Sequence, residues 1–174
     1  MNKTKFLSIF LPLCLLPLLL AKLALHFGWF EGGTVSKGEW LSEEIFVLPA
    51  LEAHEKVWRL AVVPAEQCKQ QCEQALHTVQ QLFIGLGRKQ VQVQPVLLAD
   101  GSAEAVLQQF PVFQRQTPAP ADAVAIQNYI VIVDVQGLVL LRYPLPDADH
   151  APADIARDIR TDLLKLMNYD RIRV

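Results

Sequence analysis

The sequence predicts a mixed α/β domain with the element order β-α-β, an irregular insertion, then β-β-α, behind one apolar N-terminal helix. Three observations predict it. Phe6 to Ala21 runs sixteen residues without a charge. Trp58–Val63, a short apolar and β-prone run, ends at Pro64 and hands over to a long segment with helical periodicity. Tyr129–Asp134 and Leu138–Tyr143 are two β-prone runs separated by a turn containing Gly137, the pattern of a hairpin.

Composition narrows the function classes. The chain has 174 residues and a net charge of −2, with acidic and basic residues interspersed. A nucleic-acid surface would need a concentration of positive charge that is missing here. Of three cysteines, Cys14 lies inside the apolar run, which leaves Cys68 and Cys72 as the only pair outside it. Two such cysteines make no disulfide scaffold, and with four scattered histidines they do not spell a zinc finger.

Residues 1–30 read as a membrane anchor. A spanning helix needs roughly 20 apolar residues, and Phe6 to Phe30 is long enough if Lys22 snorkels to the surface. Trp29 and Phe30 then fall at the interface, and Pro12 and Pro17 are tolerated in a membrane helix. A cleaved signal peptide is the rival reading, but no clear small-x-small cleavage site is present. Lys3 and Lys5 on the short side keep the amino terminus in the cytoplasm by the positive-inside rule. The expectation is a single-pass protein of a bacterial inner membrane with its domain in the oxidising periplasm.

Residues 31–56 read as a juxtamembrane linker or extended arm, glycine-rich at first, with irregular structure or a short edge strand between Glu39 and Glu55. Residues 57–174 form the domain. Trp58–Val63 is nearly continuous in apolar residues, as a central strand is. From Glu66 to about Leu86, Ala75, Leu76, Val79, Leu82, Phe83 and Leu86 trace one helical face, with Gly85 and Gly87 at its end. Val91–Leu98 reads as the second strand, parallel to the first across a right-handed crossover. Ser102 can cap a short helix through Gln109, and Pro111–Ala125, with Pro118 and Pro120, shows little pattern. The hairpin follows. Asp147–Asp149 then precede a helix start at Ala151-Pro152, whose buried face is marked by Ile155, Ile159, Leu163, Leu164 and Met167.

The candidate site is the thiol pair. Cys68 and Cys72 fall where the first strand hands over to the first helix. Unpaired N–H groups and a partial positive charge at a helix N-terminus favour a thiolate over a thiol. Lys69 adds a neighbouring positive charge. Against this stands the plainer reading, a structural disulfide or two small buried hydrophobes. His77 is expected on the surface, His54 to approach the pair only if its segment folds over it, His150 in a loop, and Trp58, Phe83 and Tyr129 in the core.

Reactive thiols at the first strand-to-helix junction of a β-α-β, β-β-α order are the thioredoxin arrangement. The residues also carry a family likeness. Cys68-Lys69-Gln70-Gln71-Cys72 is a CxxxC motif, and Tyr129-Ile130-Val131-Ile132-Val133-Asp134-Val135-Gln136-Gly137 resembles the "YLIDPxG" hairpin of the Sco/SenC family. From about Gly32 onward the chain is similar to small uncharacterised membrane proteins found beside cytochrome c oxidase assembly genes in proteobacteria. The shared pattern is a "KG-LL" stretch (Lys37 to Leu41), the Trp58–Leu76 core, Leu86-Gly87, "LLRYP" (Leu140 to Pro144) and a basic tail with Arg171 and Arg173.

The resemblance implies an α/β thioredoxin-like fold behind a transmembrane helix and a role in assembling the copper centre of cytochrome c oxidase. Cys68 and Cys72 would be the catalytic pair or the metal ligands. The partners it implies are a terminal-oxidase subunit or a copper chaperone, and the cofactor, where there is one, copper. Sco proteins carry a third ligand, a histidine shortly before the hairpin, and here Ile126 stands at about that position. Two thiolates can still hold Cu(I), which prefers soft ligands. No proline stands immediately before the hairpin strand, where thioredoxins place a cis-proline. Three readings stay open: thiol-disulfide exchange, a Cu(I)-binding chaperone without turnover, and an assembly scaffold with an inert disulfide.

Overall fold

The computed structural model describes residues 3–26, 36–51, 57–65, 68, 70–99, 104–117 and 123–170. Trp29, Phe30, Gly32, His54, Lys69, Ser102, Pro118, Pro120, Arg171 and Arg173, each given a part above, lie outside the described residues. The chain divides into two compact units, Met1–Val35 and Ser36–Val174.

The first unit contains α1, Lys3–His26, a helix of 24 residues. Leu13, Leu15, Leu16, Leu18, Leu19, Leu20 and Leu23 are exposed along it. Several other side chains of α1 are outside the described set, and among the described residues no helix is long and apolar enough to cross a membrane.

Among the described residues the second unit holds one six-stranded sheet with helices. Its elements are β1 (Glu39–Trp40), β2 (Trp58–Val63), α2 (Gln70–Gly85), a 3₁₀ turn (Gly87–Gln92), β3 (Val93–Leu98), α3 (Glu104–Leu107), β4 (Gln114–Gln116), a second 3₁₀ turn (Ala123–Ile126), β5 (Tyr129–Val133), β6 (Val139–Pro144) and α4 (Pro152–Asp170). The strand order is β1-β6-β5-β2-β3-β4. β2 pairs parallel with β3 and antiparallel with β5, so the expected βαβ unit and hairpin are joined at one central strand.

Every residue of β2 is buried because the sheet is covered on both faces. On one face Leu60, Val62, Leu97, Ile130, Ile132 and Leu141 meet Ala75, Leu76 and Val79 of α2 and Ile155, Ile159, Leu163 and Met167 of α4. On the other, Ala61, Val63, Val96, Leu98, Val131 and Val133 meet Ile45, Val47, Leu48 and Ile126. An extended strap, residues 45–51, covers the second face in place of a helix. Val47 and Leu51 donate their N–H groups to the carbonyls of Gly137 and Val135, and Val139 donates to that of Ile45. Gly137 has φ +92° in the hairpin turn, and a Cβ there would overlap the Leu48 carbonyl oxygen, so glycine is required twice over. Arg59, fully buried, fastens the same strap: Nη1 donates to the Pro49 carbonyl and Nη2 to that of Asp134, each at 2.8 Å.

Residues 36–48, read above as linker, thus belong to the folded unit, and the edge strand expected in Glu39–Glu55 is β1. α2 starts at Gln70, later than Glu66, which leaves Cys68 ahead of the helix and Cys72 in its first turn. The second strand starts at Val93, later than Val91. The Gln90 side chain turns back to donate to the Phe83 and Ile84 carbonyls at 2.9 and 3.0 Å, which satisfies the end of α2 and holds 87–92 in a 3₁₀ turn. The patternless Pro111–Ala125 segment contains β4, parallel to β3 at the sheet edge.

A second tie joins the entry of the domain to α4. Asp162 is 2 % exposed, and its Oδ2 accepts the Lys37 N–H at 2.6 Å, the Gly38 N–H at 2.9 Å and the Tyr143 hydroxyl at 2.9 Å. Gly38 lies so close to the ring that an added Cβ would sit 2.5 Å from Tyr143 Cζ. Burial, then the Asp162 charge, push the Tyr143 hydroxyl far above its ordinary pKa.

Candidate functional site

β2 ends at Val63 because Pro64 has no N–H with which to continue the ladder. Cys68 follows, half-buried, and packs against the core cluster on the helix-covered face. Cys72 is 3 % exposed and belongs to that cluster, on the side of α2 that carries Ala75, Leu76 and Val79. The two sulfurs are joined in a disulfide across a Cα–Cα distance of 5.1 Å. The bridge spans the junction between the last coil residues and the first helical turn. The two cysteines differ in burial, Cys68 partly and Cys72 almost wholly enclosed. Glu73, exposed in the first turn of α2, offsets part of the helix's positive end.

Asn128, which the sequence did not single out, closes the neighbouring strand junction. It precedes β5 with φ +63°, donates its N–H to the Val63 carbonyl at 2.8 Å and accepts the Leu145 N–H at 3.4 Å. An asparagine tolerates the left-handed conformation better than most residues, the only local signal that could have marked it.

Ile126 is fully buried in the cluster on the far face, with Ala61, Val63 and Val131, whereas Cys72 packs with Leu60 and Val62. Successive residues of β2 point to opposite faces, so the sheet lies between Ile126 and the disulfide. The structure therefore brings Cys68 and Cys72 together and leaves the position matched to the Sco histidine apart from them. Among the described residues no group of three or more His, Cys, Asp or Glu side chains is placed to hold a metal ion. His77 is exposed, as expected. His150 pairs through Nδ1 with Asp147 Oδ1 at 2.8 Å, and this hydrogen bond holds the Asp147 carboxyl below its usual pKa. A groove of about 190 Å³ lined by Glu39, Trp40, Leu41, Glu43 and Arg142 lies at the β1 edge and contains neither cysteine.

Comparisons with known proteins agree with this fold. No curated protein matches the chain. Among solved structures, apo Sco1 from Thermus thermophilus superposes with a TM-score of 0.50 at 18% identity, covering 77% of this chain and 99% of that one. ScoI from Bradyrhizobium japonicum with copper bound gives a TM-score of 0.43 at 13% identity, covering 60% and 84%. The likeness to the first is one of fold. The model of a family described as transmembrane-like, thioredoxin-like, C-terminal domain matches residues 58–167, from the first residue of β2 into the last turns of α4. The chain belongs to that family.

Proposed function

We propose that the chain is a membrane-anchored thioredoxin-like protein of the periplasm that exchanges thiols and disulfides with a partner during assembly of the copper centre of a terminal oxidase. One observation carries the reading: a disulfide at the first strand-to-helix junction in which Cys68 is half-buried and Cys72 buried. The step balances without a cofactor. In the reduced form the Cys68 thiolate attacks a partner disulfide, forming a mixed disulfide and releasing one partner thiolate. The Cys72 thiolate then attacks Cys68 Sγ, closing the internal disulfide and releasing the second, so two electrons pass to the partner. Run backward, the same steps oxidise a partner dithiol.

The anchor, the compartment and the oxidase are parts of the proposal. Support for the anchor comes from the length of α1, about 36 Å at helical rise against a hydrocarbon core of about 30 Å. Lys3 and Lys5 support the orientation. The oxidase rests on the sequence resemblance described above.

The test is trapping in the full chain. Cys72→Ser leaves Cys68 without its resolving thiol, and a mixed disulfide through Cys68 is the expected result. Its absence, with oxidase assembly intact in a Cys68→Ser/Cys72→Ser strain, would leave the inert-disulfide scaffold as the better account.

A resident copper site with three protein ligands does not fit the donor set, because the third position is occupied by Ile126 on the other face of the sheet. The two-thiolate Cu(I) carrier needs the pair reduced, and stoichiometric Cu(I) binding by the reduced chain is its test. Ile126→His is expected to add no ligand: Cu(I) affinity stays as in the parent while stability falls by about 2–4 kcal/mol, the cost of a polar ring in an apolar cluster. Competition titration and thermal melts read the two quantities.

A further inference from the structure

The fold sorts charges that the sequence intersperses. Val63 ends β2, and its carbonyl accepts the Asn128 N–H; the Asn128 carbonyl in turn accepts the N–H of Leu145, the residue just past β6. The exits of β2 and β6 are therefore two strand spacings apart, about 10 Å, at one end of the sheet. α2 follows the first exit and α4 the second, and both cover the same face: Cys72, Ala75 and Leu76 share a cluster with Leu145, Ile155 and Ile159. The disulfide and the loop between β6 and α4 are neighbours at that end.

Carboxylates gather there. Glu73 is exposed, and with 5.1 Å between the Cα atoms of the bridged cysteines its own Cα is no more than about 9 Å from that of Cys68. Asp147 and Asp149 are exposed in the loop before α4. Asp147 is paired with His150, whereas Glu73 and Asp149 are in no ion pair among the described residues. Asp154, in the first turn of α4, is offset by Arg157 at 2.8 Å. Positive charge is scarce at this end. No Lys or Arg occurs from Leu145 to Ala156, and from Pro64 to Glu73 Lys69 alone does, outside the described residues. Arg88 and Lys89 stand in the 3₁₀ turn beyond the far end of α2.

We infer that the exchange partner of Cys68 presents its cysteines in a positively charged segment, selected by Glu73, Asp147 and Asp149. The inference rests on the exchange reading above and specifies its substrate class. Exposed charges act over about 10 Å in 0.1 M salt and over about 30 Å in 10 mM salt. A negative rim around the attacking sulfur raises the encounter rate of a cationic disulfide and lowers that of an anionic one.

The test uses the full chain in an uncharged detergent, as the variant Cys14→Ser/Cys72→Ser, in which Cys68 is the only thiol. The probes are cystamine, which is cationic, and dithiodipropionate, which is anionic. In either case the Cys68 thiolate attacks one probe sulfur, a mixed disulfide forms, and the other half of the probe leaves as its thiolate. Each rate is divided by that of the same probe with free N-acetylcysteine amide, which cancels the probe's intrinsic reactivity. The normalised rate is expected to be about tenfold or more higher for cystamine in 10 mM salt, and within about twofold of that for dithiodipropionate in 1 M salt. Adding Glu73→Gln/Asp149→Asn should bring the low-salt ratio to about threefold or less. Equal or inverted low-salt ratios overturn the inference and leave the exchange reading standing. A preference that persists in 1 M salt or in the carboxamide variant also overturns it, because its source then lies elsewhere. A Cys68 that reacts with neither probe overturns the exchange reading and the inference together.

Discussion

After mild reduction, iodoacetamide is expected to alkylate Cys68 at least about tenfold faster than Cys72, because Cys68 is half-buried and Cys72 is 3 % exposed. The N–H groups at the start of α2 and its dipole favour the attacking form of a sulfur placed just ahead of it. Cys68→Ser should accordingly bring disulfide exchange down to the background rate, whereas Cys72→Ser should preserve the first attack and stall at the mixed disulfide. Peptide mapping of the alkylated chain and single-turnover kinetics with a model disulfide give the two readouts. A reversed labelling order would assign the attack to the other sulfur. Folding should survive both substitutions: a loop closed by cysteines four positions apart contributes only about 2 kcal/mol in the chain-entropy account.

The largest loss of stability is expected from Asp162→Ala. One carboxylate oxygen accepts three hydrogen bonds inside the fold, two from the backbone at Lys37 and Gly38 and one from Tyr143. Removing it strands three donors at once and should cost about 3–4 kcal/mol, roughly 10 °C in Tm. The same cluster sets an alkaline limit. Burial, and secondarily the Asp162 charge, raise the folded-state pKa of Tyr143 above its unfolded value near 10. A raised folded pKa stabilises the fold fully below the unfolded value and is lost as pH climbs beyond it. Stability should therefore decline above about pH 10, and Tyr143→Phe should flatten that decline. Melts across the alkaline range, in parent and variant, decide it.

Much of this architecture was legible because its signals are local. The apolar run Trp58–Val63 became β2 with the expected bounds. The 3.6-residue spacing of Ala75, Leu76, Val79 and Leu82 became the buried side of α2, and Gly137 marked the hairpin turn. β4 could not be read because Gln114, Arg115 and Gln116 are all polar: an edge strand is held by its backbone, and its side chains need not be apolar. The strap over the second face was missed for a related reason. Ile45, Val47 and Leu48 are placed by hydrogen bonds to a turn some ninety residues later, and no periodicity announces that. Asp162 left a faint trace, a charge three residues after Ile159 on an otherwise apolar helical stripe, whereas Arg59 was hidden inside a run read as hydrophobic. The thiol pair was picked out by its place where a β-prone run hands over to a helical pattern. The burial that separates the two cysteines came only with the packing of α2.

The strap has a practical corollary for anyone preparing the Ser36–Val174 unit alone. A fragment beginning at residue 57, where the family match and the apolar run both invite a cut, would bare Ala61, Val63, Val96, Val131 and Val133 and leave β6 as a naked edge. Such material should precipitate or pair edge to edge. Starting at or before Ser36 retains the Asp162 and Arg59 fastenings and keeps the second face of the sheet covered.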